Sequence, residues 1–197
     1  MSASRDLILS RVRSALRDAP VVPEIPRDYR PAGRPVDLDV FVDRLVDYKA
    51  TVHRIRSQDV APTVEGLVSG AVLVPPGLPQ AWRPAGAVVD DGLAPDRIAA
   101  AAAVLTAAAV AVAETGTIVL DASPDQGRRI ITLLPDVHVI VLRPEQVVAA
   151  VPDAVARLDA RRPLTWISGP SATSDIELNR VEGVHGPRNL HVLLLDG

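Results

Sequence analysis

The stretch Ser168-Gly-Pro-Ser-Ala-Thr-Ser-Asp-Ile-Glu177, with Gly183-Val-His-Gly-Pro187 behind it, concentrates hydroxyls, carboxylates, glycines and a histidine. Ser174 and Glu177 have the spacing of a helix capping box, in which the hydroxyl bonds the third helical amide and the carboxylate reaches back. That role does not need Ser168, Ser171, Thr173 or Asp175. Hydroxyls beside the free amides of a helix start make a seat for a carboxylate or phosphate. Asp175 would oppose an anion there, unless it takes a hydroxyl or positions a water. On these residues alone, ligand seat and structural cap both stay open. His185, between glycines, titrates near neutral pH and is a candidate acid, base or ligand.

A second polar turn, Ala113-Glu-Thr-Gly-Thr117, leads into the apolar run Ile118–Leu120. Glu114 there is a candidate general base or nucleophile, although a turn residue bonded to local amides is the commoner use. Thr115 adds a hydroxyl, and Gly116 permits a tight turn or close approach of a ligand. His53, His138 and His191 lie on or near strand patterns and read as packing or surface residues. No two histidines have helical metal-ligand spacing, so no dedicated metal site is expected.

Absences narrow the chemistry further. With no cysteine, the chain offers no thiol nucleophile and no cluster ligand, so any redox step would need a bound cofactor or a partner. The single lysine, Lys49, follows no glycine loop, and neither G-x-G-x-x-G nor G-x-S-x-G occurs. A net charge of −3 with scattered arginines argues against nucleic acid. No charge-free apolar run has the ~18 residues of a membrane span. The N-terminus, with Asp6, does not read as a signal peptide, and a cytoplasmic location is expected.

These loops need a scaffold, and the 197 residues, 48% of them hydrophobic, suffice for one core. Residues 4–18 pattern as an amphipathic helix, followed by a proline-rich arm from Pro20 to Pro35, so 1–36 is set apart from a domain at 37–197. Helices are expected at 39–49, with Phe41, Val42, Leu45 and Val46 inward, then at 62–69, 95–102, 144–149, 152–160 and 175–181. Strands are expected at 51–55, 71–74, 87–89, 117–120, 129–132, 138–142, 164–167 and 190–195. The alanine-rich run to Ala113 favours helix by propensity, yet Val104–Thr106 and Val110–Val112 could be strand pieces. Buried strands alternating with helices indicate a layered, largely parallel α/β sheet.

Ala113-Glu-Thr-Gly-Thr-Ile118, Ile167–Glu177 and Val181-Glu-Gly-Val-His-Gly-Pro-Arg188, in this order and spacing, resemble the lactate-utilisation protein C family, the LUD domain. The resemblance covers about residues 37–197 and favours a break in the alanine run. It implies the α/β class of ribose-5-phosphate isomerase, glucosamine-6-phosphate deaminase and CoA transferases, with helices on both faces of the sheet. It further implies a part in bacterial L-lactate oxidation to pyruvate beside iron–sulfur proteins encoded in the same operon. Under it, Glu114, Asp175 and His185 are the catalytic candidates. Thr115, Gly116, Ser168, Ser171, Thr173, Ser174 and Glu177 are the ligand-binding ones, for a small anion such as lactate or a nucleotide-like cofactor. No cofactor is assigned. The alternative is a free-standing acyl or CoA transferase, or a ligase, with Glu114 as nucleophile.

Overall fold

The computed structural model describes residues 3–18, 23–26, 33–173, 181–182 and 186–196, of which 3, 172–173 and 181–182 are described by backbone alone. The chain divides into a unit Met1–Arg30, holding helix α1 (Ala3–Ala15), and a unit Pro31–Gly197.

Six parallel strands form the centre of the second unit. They are β1 (Thr51–Ile55), β2 (Val72–Val74), β3 (Val88–Val89), β4 (Ala103–Thr106), β7 (Val137–Leu142) and β12 (Asn189–Leu195), in spatial order β1-β12-β7-β4-β2-β3. A parallel sheet covered on both faces takes nearly continuous apolar runs, and β4 and β7 are such runs apart from Thr106 and His138. Alternate residues of β7 part between two cores. Ile140 and Leu142 join Phe41 and Leu45 of α2 (Leu38–Asp47), while Val139 and Val141 join Val60 and Val64 of α3 (Val60–Leu67).

On the α2 side lies a second, four-stranded sheet in the order β8-β5-β6-β9, formed by β5 (Val110–Val112), β6 (Thr117–Leu120), β8 (Val147–Val148) and β9 (Thr165–Ile167). Here β6 runs antiparallel to both β5 and β9. Ala111, Ile118 and Leu120 face the central sheet, and Val110, Val112 and Val119 pack with Ala154 of α5 (Val151–Arg157). The α/β class expected from the sequence is present, with its strands shared between two main sheets.

Local chemistry sets the ends of these elements. Asp37 caps α2 by accepting from the Asp39 and Val40 amides at 2.9 and 3.2 Å. Lys49 closes the helix with φ of 69°, a left-handed C-terminal turn. The alanine run breaks after α4 (Pro95–Ala99), because Val104 and Leu105 are fully buried in β4. Burial is worth about 1.5–3 kcal/mol for each such side chain, well above the ~0.7 kcal/mol that separates ordinary residues in helix propensity.

Several expectations are corrected. Arg129–Thr132 is a 3-10 turn rather than a strand, placing Ile131 in a small core with Leu73, Ile98 and Val104. The helix expected over 144–149 is a 3-10 turn, Pro144–Gln146, followed by β8, whose valines are buried against β5. The helix expected at 95–102 stops at Ala99, since Ala102 already bonds the Ala71 carbonyl at the sheet. Val46 is 53% exposed, because the buried stripe of α2 is Phe41 and Leu45, one helical turn apart. The helix expected over 175–181 falls mainly outside the described residues, and its last position, Val181, lies in β11 (Val181–Glu182), antiparallel to β10 (Ala172–Thr173).

Candidate functional site

The turn that follows β9 roofs a pocket of about 130 Å³ lined by Ser168, Gly169, Pro170, Ser171, Gly186 and Pro187, with Arg129, Thr132, His138 and Leu190 beneath. The Ser171 amide donates to the Pro187 carbonyl at 2.8 Å, which ties this turn to the start of β12. His138 and Leu190 are each second in their strand, so the pocket opens at the amino ends of β7 and β12. The loop reaches that end because β9 pairs with β6 in the other sheet.

His138 is 2% exposed, and its Nε2 lies 2.9 Å from the Thr106 hydroxyl. Burial, and then the nearby Arg129 charge, push its pKa down to about 3, so the imidazole is neutral at ordinary pH. Arg129 keeps its guanidinium at the same pocket, where Nη1 donates to the Thr132 hydroxyl at 2.8 Å. The pocket therefore combines one cationic fork, a neutral imidazole and the Ser168 and Ser171 residues, a set suited to a small carboxylate. Trp166, 42% exposed, lines it as well.

Glu114 and its neighbours are placed differently. The Glu114 carboxylate lies 3.7 Å from Arg34 in a separate open groove of about 410 Å³, also lined by Asp37 and Arg44. From that turn a hydroxyl chain runs to the pocket: Thr115 Oγ1 to Thr117 Oγ1 at 2.8 Å, then Thr117 Oγ1 to Ser168 Oγ at 2.9 Å. Gly116 serves packing, with φ of 61° and a position where a Cβ would stand 2.7 Å from the Arg44 Cβ. The structure thus brings Thr115 and Ser168 into one hydrogen-bonded chain and puts Ser168 and Ser171 on one pocket, with Glu114 in the neighbouring groove. Thr173 is in β10. Ser174, Asp175, Glu177 and His185 lie outside the described residues. Among the described residues, no group of three histidines or carboxylates could hold a metal ion, and no helix is long and apolar enough to cross a membrane.

The LUD domain family matches residues 88–195. A relative from Deinococcus radiodurans named Lactate utilization protein C is 44% identical over 84% of this chain and 82% of its own. The chain belongs to the LUD-domain family. A Bacillus subtilis protein of the same name is 33% identical over 47% of this chain and 42% of its own. A crystal structure of a DUF162 family protein from Deinococcus radiodurans superposes with a TM-score of 0.70 at 36% identity, covering 82% of this chain and all of that one.

In this LUD domain, Arg129, Thr132 and His138 were not singled out by sequence reasoning. A signal for His138 was present, since it has the same parity as Ile140 and Leu142 in an otherwise apolar strand and so had to face the same core. For Arg129 no comparable signal exists, because the 3-10 turn that aims it resembles a short strand in sequence.

Proposed function

We propose that this LUD domain serves lactate utilisation as a non-redox component that holds a small carboxylate beneath the Ser168–Ser171 turn. The family membership supports the pathway, through relatives that carry lactate utilisation in their names. One observation carries the site: the Arg129 guanidinium, the neutral His138 and the two serines border a single pocket. Arg129 supplies the charge, Ser168 and Ser171 supply donors, and His138 orients the bound group without competing for its charge. Asp175 and His185 complete the proposal as the acid–base candidates of the same loop region. Because the chain has no cysteine, electrons would pass through iron–sulfur partner proteins.

The test is anaerobic L-lactate oxidation by the purified iron–sulfur proteins of the operon, with and without this chain. Dependence on the chain is expected, together with at least tenfold loss in Arg129→Ala and in the Ser171→Ala/Asp175→Ala double variant, about the effect of one lost charge-assisted contact. An unchanged rate in those variants overturns the site, and a rate indifferent to the chain overturns the pathway. The competing acyl-transfer reading rests on Glu114 alone. A covalent adduct on Glu114 after incubation with acyl-CoA would replace the lactate reading with it.

A further inference from the structure

The central sheet reverses its winding between β2 and β4. From β2 the chain steps outward to β3, then returns past β2 to β4 and continues through β7 to β12, beside β1. In open parallel sheets such a reversal leaves a crevice outside the carboxyl ends of the two strands that flank it, and ligands bind there. In this structure a cavity of about 460 Å³ occupies that position. Gly77, three residues beyond β2, and Ala108 and Ala109, just beyond β4, form its floor, and the loop after β6 brings Asp121, Ser123 and Asp125 to its wall. It shares no lining residue with the Arg129 pocket.

The crevice has little to offer a phosphate. Pro75 and Pro76 have no amide hydrogen, and three amides that could have formed a cradle are spent internally. Gly77 donates to the Pro124 carbonyl at 2.8 Å, Ala107 to the Asp125 carbonyl at 3.0 Å and Ala109 to the Val119 carbonyl at 2.9 Å. What it offers instead is acceptors. The loop is rigid, since the buried Gln126 side chain accepts from the Asp121 amide and Asp121 accepts from Ser123. Asp121 also has a cation, Arg162, at 3.3 Å. Asp125 has none in contact, and its Oδ1 is buried with no hydrogen-bond partner among the described residues. An acceptor left unbonded in this way is unfavourable, and such a cost persists where function requires it.

We propose that this crevice is a second ligand site, for a polyhydroxyl compound whose hydroxyls donate to Asp125 and Asp121 while the Arg157 guanidinium at the rim donates to its oxygens. Asp125 lines the cavity, where a ligand hydroxyl can donate to its carboxylate. Burial, ahead of the neighbouring Asp121 charge, holds the Asp125 carboxyl above its usual range, against the opposing bonds from its own amide and Gln126. The volume lies within the range typical of small-molecule sites and well beyond what a three-carbon acid fills.

Saturation-transfer NMR on the full chain tests this, with D-glucose, myo-inositol and adenosine as probes because they present vicinal diols on different frames. At least one is expected to bind, and to weaken about tenfold in Asp125→Ala, the cost of one or two lost hydrogen bonds. Ala109→Leu, which fills the cavity from its floor, abolishes the signal and decides the matter if Asp125→Ala does not fold. Arg129→Ala leaves the signal unchanged. Failure of all three probes to bind overturns the proposal, as does binding that survives Ala109→Leu or is lost in Arg129→Ala.

Discussion

The hydroxyls of Thr117 and Ser168, 51 positions apart in sequence, lie 2.9 Å from one another. Thr117 is 6% exposed at the start of β6, and Ser168 directly follows β9, which pairs antiparallel with β6. Strand register therefore delivers the contact, and Thr115 extends it to the Glu114 turn. Thr117→Val keeps the shape and removes the bridge. It is expected to cost about 1 kcal/mol in urea unfolding, the net value of an ordinary buried hydrogen bond. Ser168→Ala in the same background should then cost little more, a non-additivity that a double-mutant cycle reads directly.

Gly116 and Gly169 are expected to be the least replaceable glycines of the site. At Gly169, φ is 91° and a Cβ would stand 2.7 Å from the Tyr48 Cβ, while Gly116 meets Arg44 as described above. Alanine at either position combines left-handed strain with overpacking, together about 2–4 kcal/mol of lost stability. Chemical denaturation of the two single variants measures it, and a loss near zero would mean that neither contact is tight.

The Asp90 side chain is 1% exposed and accepts two bonds from Arg128, at 2.8 and 2.5 Å. Arg128 beside it holds the Asp90 carboxyl below the usual carboxylate range, outweighing the opposing effect of burial. A lowered folded-state pKa contributes stability that is present above the unfolded value and lost as the pH falls through the folded one. Arg128→Ala leaves the buried carboxylate without its cation and should lower stability at neutral pH. The difference from wild type should shrink below pH ~4, where the unfolded carboxyl is protonated. Thermal melts across that range are the measurement.

His138 gives another acid-sensitive element. Its folded pKa of about 3 is below its unfolded value of 6.5, so protons bind the unfolded chain first as pH falls. The stability held by the neutral imidazole is intact above pH 6.5 and drains away towards pH 3. His138→Gln should flatten that part of the stability profile, and the His138 ring carbons in wild type should show no titration by NMR between pH 5 and 8. A titration midpoint near the unperturbed value would refute the burial argument.

Asp125 has the opposite sign. Its raised pKa makes the ionised form costly in the folded chain above 3.8. Asp125→Asn is therefore expected to stabilise the protein at neutral pH, with the advantage closing as the pH falls through the raised folded value towards 3.8. Greater stability accompanied by weaker polyol binding would mark a residue retained for its chemistry.

Legibility in the sequence followed the strength of periodicity. Val139–Leu142 and Val192–Leu195 are apolar runs, each preceded by a histidine, and both lie in central strands. Val104–Thr106 and Val110–Val112 emerged within an alanine run only because valine and leucine interrupt it, and tertiary burial overrode helical preference. Arg129–Thr132 was misread because three β-branched residues in a row do not distinguish a strand from a single 3-10 turn. Nor could composition reveal that β5 and β6 leave the central sheet for another, since sheet membership depends on pairing rather than on pattern. The same limit applied to the site. Ser168 and Ser171 were visible as loop chemistry, whereas Arg129 reaches their pocket from across the fold.

Gly116 and Gly169 close on the same end of α2, at Arg44 and Tyr48, from loops belonging to two paired strands. With a hydrogen where any other residue carries a Cβ, each glycine lets its turn lie directly on the helix, so the turn beside Glu114 and the turn beside Ser168 share one backstop.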